Sequence, residues 1–335
     1  MTLAPDSSDG AQRAHAAWLN RTCVLRAIEV SRVHAYLDAQ LATAMQPPVL
    51  GAAQAHLFSP LPVFVAAADL EQMRVMAAAI ARVTRLPGYQ RCALLSAGLP
   101  ETRVSTTGGL MLGFDFHLTP SGPRLIEINT NAGGALLNTA MLRAATGAID
   151  AALATPVESD PSAAEERIAR TFFAESSRLH PGAVLRRVAI IDDDPGSQFL
   201  AAEFQLFARL LERHGVSTVI TDPETLRLKG QQLLCADGPI DLVYNRLTDF
   251  ELAAPEHRLL RSAAAEGVIV SPNPEAHALF ANKRNLALLS NPALLRAWGA
   301  DETAVDLLTR AIPATEVVRA EAADTLWARR SALFF

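Results

Sequence analysis

Between Gly113 and Asn131 the chain reads Gly113-Phe-Asp-Phe-His-Leu-Thr-Pro-Ser-Gly-Pro-Arg-Leu-Ile-Glu-Ile-Asn-Thr-Asn131, and Asp115, Glu127 and Asn129 within it carry hard oxygen donors. Two carboxylates and an amide oxygen suit Mg²⁺, which commonly keeps water and substrate phosphate oxygens as its other ligands. Ions held in this way could clamp nucleotide phosphates and neutralise charge as a phosphoryl group moves. The chemistry requires the three side chains to share a face. Two strand-like runs, Leu110–Leu118 and Arg124–Asn129, flank the turn-forming Thr119-Pro-Ser-Gly-Pro123. In the first, Phe114, Phe116 and Leu118 alternate with Asp115 and His117; in the second, Ile126 and Ile128 alternate with Leu125, Glu127 and Asn129. A loop of odd length sets Asp115 opposite Glu127, and a five-residue loop, Thr119–Pro123, is expected because Pro123 has no N–H for a ladder. The same residues also fit an exposed hairpin with one polar face. His117 shares the face of Asp115, but Mg²⁺ prefers oxygen, so it is expected beside the site or in solvent.

Three further groups could do chemistry. Asn245 and Arg246 end a predicted strand, at the edge where open α/β sheets bind ligands. Arg246 could clamp a substrate carboxylate through two bonds, or pair with Asp249 at the surface. Asp192-Asp-Asp194 could hold a metal, or act as turn and cap residues before a helix near Gly196. Gly196, Ser197 and Gln198 at that helix start could meet an anionic substrate group. Lys283 and Arg284 follow the last predicted strand, as phosphate contacts or as a solvated helix face.

The elements that must position these residues fall into two patterns. Residues 12–100 read mainly as helices, with a strand at Pro62–Ala67. Asn131-Ala-Gly-Gly134 leads into a long apolar helix to about Ala154, and a polar linker, Thr155–Ser162, ends in a Ser162–Glu165 capping box. From Val184 onward strands and helices alternate, with strands at Val188–Ile191, Ser217–Thr221, Asp241–Asn245 and Val268–Val270. Such alternation predicts a parallel sheet with helices on both faces.

The bulk properties narrow the function classes. A chain of 335 residues, 50% apolar, suggests two or three domains. A net charge of −5 offers no general attraction for nucleic acid. Cys23, Cys92 and Cys235 form neither a disulfide framework nor a zinc motif. No apolar run is long enough for a membrane span, and Met1–Gln12 lacks the pattern of a signal peptide, so a cytoplasmic location is expected. Ser331-Ala-Leu-Phe-Phe335 reads as half a strand, from which a longer parent protein is expected.

Leu125-Ile-Glu-Ile-Asn-Thr-Asn-Ala-Gly-Gly134 resembles the Glu-x-Asn metal strand of the ATP-grasp superfamily, and Asp115 stands where that family places its first acidic ligand. The resemblance implies that Asp115, Glu127 and Asn129 hold Mg²⁺ with ATP. It places Asn131 and Gly133–Gly134 near the acceptor or phosphate end, makes Arg103 a candidate transition-state arginine, and sets Lys283 and Arg284 toward phosphate. The metal strand precedes the βαβ region, an order similar to the circularly permuted group that includes glutathionylspermidine synthase. The fold so implied is α/β. Residues 1–155 would be a helical region with an antiparallel metal-binding lobe, 156–182 a linker and helix, 183–300 a Rossmann-like pre-ATP-grasp domain, and 301–335 the start of an ATP-binding lobe. Ile312–Thr315 and Leu333–Phe335 resemble strands of that lobe. The chain departs from the family in lacking the lobe's Gly-rich loop and adenine-side lysine. The activity implied is a Mg-dependent ligase joining a carboxylate to an amine or thiol through an acyl phosphate, possible as a homodimer. A non-catalytic binding module and a sugar-nucleotide transferase using Asp192–Asp194 are the competing readings.

Overall fold

A computed structural model of the chain describes residues 7–22, 30–41, 57–59, 61, 63–100, 108–153 and 160–333. The chain divides into two compact units that alternate along the sequence: Met1–Ala68, Ser105–Gly113 and Asn129–His277 form one, and Asp69–Val104, Phe114–Ile128 and Ala278–Phe335 the other. The molecule is α/β with more than one kind of sheet. The antiparallel pair is β1 (Gly113–Thr119) with β2 (Gly122–Asn129).

In the first unit β3 (Arg187–Ile191) lies between β4 (Ser217–Thr221) and β8 (Leu242–Asn245), with β9 (Ile269–Ser271) outermost. All pair in parallel; Ile190 stands beside Ile220 on one side and Tyr244 on the other. The apolar run at Val188–Ile191 follows from burial on both faces. Val188 and Ile190 join Phe172 of α6 (Pro161–Leu179) and Phe204, Phe207 and Leu211 of α7 (Ala201–Arg213), whereas Ala189 and Ile191 join Val243, Leu260 and Val270. The Tyr244 ring meets Phe207 and Phe172 edge-on, with centroids 5.0 and 5.4 Å apart. A small antiparallel sheet absent from the sequence reading, β5 (Arg227–Lys229), β6 (Gln232–Cys235) and β7 (Gly238–Ile240), adds Leu233 and Ile240 to the second of these cores. On the helical side, α2 (Val30–Leu41) contributes Val33 and Leu37, and α5 (Ala135–Leu153) contributes Leu137 and Ala140.

Three boundaries differ from expectation, each for a local reason. The helix after β3 begins at Ala201 rather than near Gly196; the intervening chain turns at Asp194 (φ 41°), whose carbonyl accepts the Ser197 hydroxyl at 3.0 Å. Asp160, not Ser162, caps α6, accepting the Ala163 N–H at 3.0 Å, because Pro161 already occupies the first helical position. Val63–Ala66 forms no strand: the Asn20 amide takes both the N–H and the C=O of Phe64, each at 2.8 Å, supplying bonds a ladder would have made. Pro62 lies outside the described residues.

The second unit packs α3 (Ala67–Val83), whose first two residues belong to the other unit, and α4 (Pro87–Ser96) with the short helices Arg284–Leu289, Pro292–Ala297 and Glu302–Ala311. Tyr89 is fully buried, donates its hydroxyl to the Leu279 carbonyl at 2.8 Å and meets Trp298 edge-on. Ile312–Thr315 is not the strand expected there: Pro313 has no N–H, and the Thr315 N–H goes to the Ser290 hydroxyl at 3.4 Å. Leu333 has extended backbone; Phe334 and Phe335 lie outside the described residues. No described helix is long and apolar enough to cross a membrane.

Candidate functional site

The hairpin register decides whether the acidic face exists. β1 and β2 are joined by a turn at Pro120–Ser121, shorter than the five-residue loop expected, and Pro123 lies in the strand. Gly122 has φ 107°, and Thr119 Oγ1 donates to its carbonyl at 2.7 Å. A turn followed by a positive-φ glycine is a three-residue loop with a bulge, so Gly122 counts with the loop and the count is odd after all. The far end gives the same register. A first side-chain carbon on Gly113 would lie 3.6 Å from Asn129 Cβ, inside the usual spacing of opposed residues and far inside that of diagonal ones, and 2.9 Å from Ala132 Cβ, which only glycine avoids. Counting inward from either end sets Asp115 opposite Glu127. Asn129 follows Glu127 on the same face of the strand.

Asp115 and His117 are exposed, and Glu127 and Asn129 are half-buried. Lys283 Nζ lies 3.6 Å from Glu127 Oε2. Arg284, its neighbour, turns elsewhere and donates to the Ser96 carbonyl at the end of α4 at 3.0 Å. The opposite face is less uniform than the alternation suggests: Ile128 is buried, but Leu118 and Ile126 are 45% and 37% exposed, so the core covers only the end away from the turn. Among the described residues no three His, Cys, Asp or Glu side chains converge as a metal cluster. Two carboxylates and an amide oxygen, one exposed and two half-buried on the paired strands, still fit Mg²⁺, which takes its remaining ligands from water and phosphate. Arg103 lies outside the described residues.

The second candidate region is the carboxyl edge of the parallel sheet. Arg246, just past β8, is 6% exposed rather than an open fork. Its Nη1 donates to the carbonyls of Asn131 and Ala132 at 2.6 and 3.1 Å and to the Tyr244 hydroxyl at 3.1 Å, while its Nε is buried without a partner. Glu203, at 1% exposure, accepts the N–H groups of Gly134 and Leu136 at 2.7 and 3.0 Å, and burial pushes its pKa up. Arg246 and Glu203 thus grip the Asn131–Gly134 joint through its carbonyls and its N–H groups. A side chain on Gly133 would start 2.4 Å from Leu200 Cδ1 and 3.0 Å from Arg246 Nη2.

Asn245 spends both ends of its amide internally, on the Pro272 carbonyl and the Leu247 N–H. Gly196, Ser197 and Gln198 do not form a helix start; Gln198 donates to the Asp193 carbonyl. His257 is buried between Asp249, 2.8 Å from Nδ1, and Asp193, 2.9 Å from Nε2. Burial alone would lower the His257 pKa, but the two carboxylates reverse this and raise it. Asp192, 8% exposed, has its pKa pushed up to about 6 by burial, against the Asp193 N–H and Arg246, which pull it down. Sequence reasoning missed Glu203 and His257. An acid between Ala202 and Phe204 on the apolar stripe of α7 was a readable signal; nothing local announced the His257 bridge.

No protein-family model matches the chain, and no curated protein matches it. One similar solved structure is a glutathione synthetase-like effector from Globodera pallida in its apo form, with a TM-score of 0.53 at 14% identity over 81% of this chain and 70% of that one. At this identity the likeness concerns the fold, and it is compatible with an ATP-grasp-like arrangement.

Proposed function

We propose that the chain is a circularly permuted ATP-grasp protein whose hairpin face holds Mg-ATP for joining a carboxylate to an amine or thiol. The observation that carries this reading is the opposition of Asp115 and Glu127 on the hairpin, with Lys283 Nζ 3.6 Å from Glu127. Bound Mg-ATP would supply the phosphoryl group that activates the carboxylate for attack. Asp115, Glu127 and Asn129 would hold the cation by their oxygens, and Lys283 would face phosphate charge from the same side as Glu127. Arg246 and Glu203 would fix Asn131 and the joint after the metal strand, and Arg103 keeps the role the family resemblance implies. Asp192–Asp194 leaves the sugar-nucleotide reading little to stand on, since Asp193 is engaged with His257.

Calorimetry of ATP binding with and without Mg²⁺ tests the proposal. Binding is expected only with Mg²⁺, to be lost in Glu127→Ala, and to weaken about tenfold in Lys283→Ala through a missing charge-assisted contact. ATP binding that ignores Mg²⁺ or survives Glu127→Ala would remove the metal assignment. Binding without turnover would fit the second reading, a non-catalytic ATP-binding module; no strand occurs among the described residues of 301–333, where the family's ATP-clamping lobe would begin.

A further inference from the structure

The strand order β4-β3-β8-β9 reverses at β3: the chain leaves β3 for β4 on one side and returns to β8 on the other. Open α/β sheets bind ligands in the crevice outside the carboxyl ends of the strands at such a switch point. Here those ends carry Asp192 and Asp193 after β3 and Asn245 and Arg246 at β8. Most polar groups of this edge are already committed. Asp193 and Asp249 bond His257, Asp222 accepts the N–H groups of Asp194 and Glu224, Asn245 is used at both ends, and Arg246 Nη1 holds carbonyls.

Asp192 is the exception. More than nine-tenths buried, it accepts one bond, from the Asp193 N–H to Oδ1 at 3.0 Å. Its Oδ2 accepts none from the protein and is not sealed from solvent. A carboxylate held largely out of water with acceptor capacity unfilled is a place where a donor gains more than it would at the surface. The sign of the edge selects the donor. Asp192, Asp193, Asp194, Asp222 and Asp249 outnumber the cationic Arg246 and the bridged His257, which disfavours a carboxylate or phosphate ligand. A metal ion is disfavoured too, because Asp193 and Asp249 are spent on His257 and Asp222 on backbone N–H groups.

We propose that the crevice at the carboxyl ends of β3 and β8 binds a primary ammonium group, with Asp192 Oδ2 as its principal acceptor. In the ligase reading this makes the acceptor substrate an amine rather than a thiol; that role rests on the reading above, whereas the binding itself does not.

The test is an NMR titration with butylammonium chloride, without ATP or Mg²⁺, so that failure of the ATP site leaves its result unchanged. The Asp193 amide, bonded to Asp192 Oδ1, is the reporter. A saturable shift is expected, with affinity at least about tenfold weaker in Asp192→Asn and unchanged in Asp237→Asn at the β6–β7 turn, as the loss of a charge-assisted bond requires. Tetramethylammonium, with the same charge and no N–H, should bind at least about fivefold weaker. In the unmodified protein, affinity should fall about tenfold from pH 7 to pH 5 as Asp192, facing Arg246, Asp193 and His257, takes up its proton. Equal affinity in Asp192→Asn, equal shifts with tetramethylammonium, or no saturable shift would each overturn the proposal.

Discussion

On the hairpin Asp115 stands in solvent and Glu127 meets Lys283 at 3.6 Å; at the parallel-sheet edge His257 is buried between Asp249 and Asp193 at 2.8 and 2.9 Å. Both regions carry carboxylates on the ends or faces of strands, but they differ in burial and in the length of their ion pairs. A long ion pair beside water costs little to open, as the proposed turn toward a metal and phosphate would require. The sheet edge is closed on itself, so its side chains act mainly by holding backbone in place, and Asp192 is conspicuous for having an oxygen left over.

The sharpest way to break this contrast is to remove one residue from each region. Arg246→Met would leave the Asn131 and Ala132 carbonyls without their donor and Glu203 without its nearby cation in a buried setting. Urea unfolding should show a loss of about 3–5 kcal/mol, as when one partner is taken from a buried charged network. Glu127→Ala should change stability by less than about 0.5 kcal/mol, since its pair is long and its lysine is exposed. Equal losses would mean that the hairpin face is as structural as the sheet edge.

A smaller effect of opposite sign is expected at Asp192. Its pKa, about 6 in the folded protein, lies above the ordinary aspartate value because burial disfavours the charged form. The folded state therefore binds the proton more tightly, and stability falls as pH rises from about 4 to 6. At pH 7 the ionised group costs up to about 3 kcal/mol, so Asp192→Asn should stabilise the chain by about 1–3 kcal/mol in thermal or urea unfolding at that pH. Gain of stability with loss of ammonium binding is the signature of a residue kept for a ligand. A destabilised Asp192→Asn would instead make Asp192 a structural partner of Arg246.

What the sequence revealed follows the range of the interactions involved. Val188–Ile191 announced a two-sided strand because burial on both faces leaves an uninterrupted apolar run, and Asp115 and Glu127 were legible as opposed because strand alternation and an odd loop are local rules. The loop itself was misjudged: Pro123 fits into β2 because Gly122 bulges beside it. Strands and helices were read to alternate after Val184, yet nothing near His257 told that it would reach Asp193, 64 residues earlier. Arg246 was visible as an arginine at a strand end, but its carbonyl partners come from a joint 115 and 114 residues away. Long-range polar pairing depends on the finished sheet and leaves no periodic trace.

His257 provides the finest test of how closed the sheet edge is. Its pKa is raised in the folded protein by Asp193 and Asp249, despite the opposing effect of burial. A raised histidine contributes stability that is fully present below its unfolded value, about 6.5, and is lost as pH rises through the folded value. This window lies above the one set by Asp192, so the two can be separated. The unmodified chain should lose stability as pH rises above about 6.5 relative to a His257→Gln variant, by less than about 1 kcal/mol because the Asp193 side chain is open to solvent. Chemical denaturation at closely spaced pH values measures the difference directly. A difference that stays flat across this window would mean that His257 bridges its carboxylates in one protonation state throughout, and that the edge is held by hydrogen bonding rather than by charge.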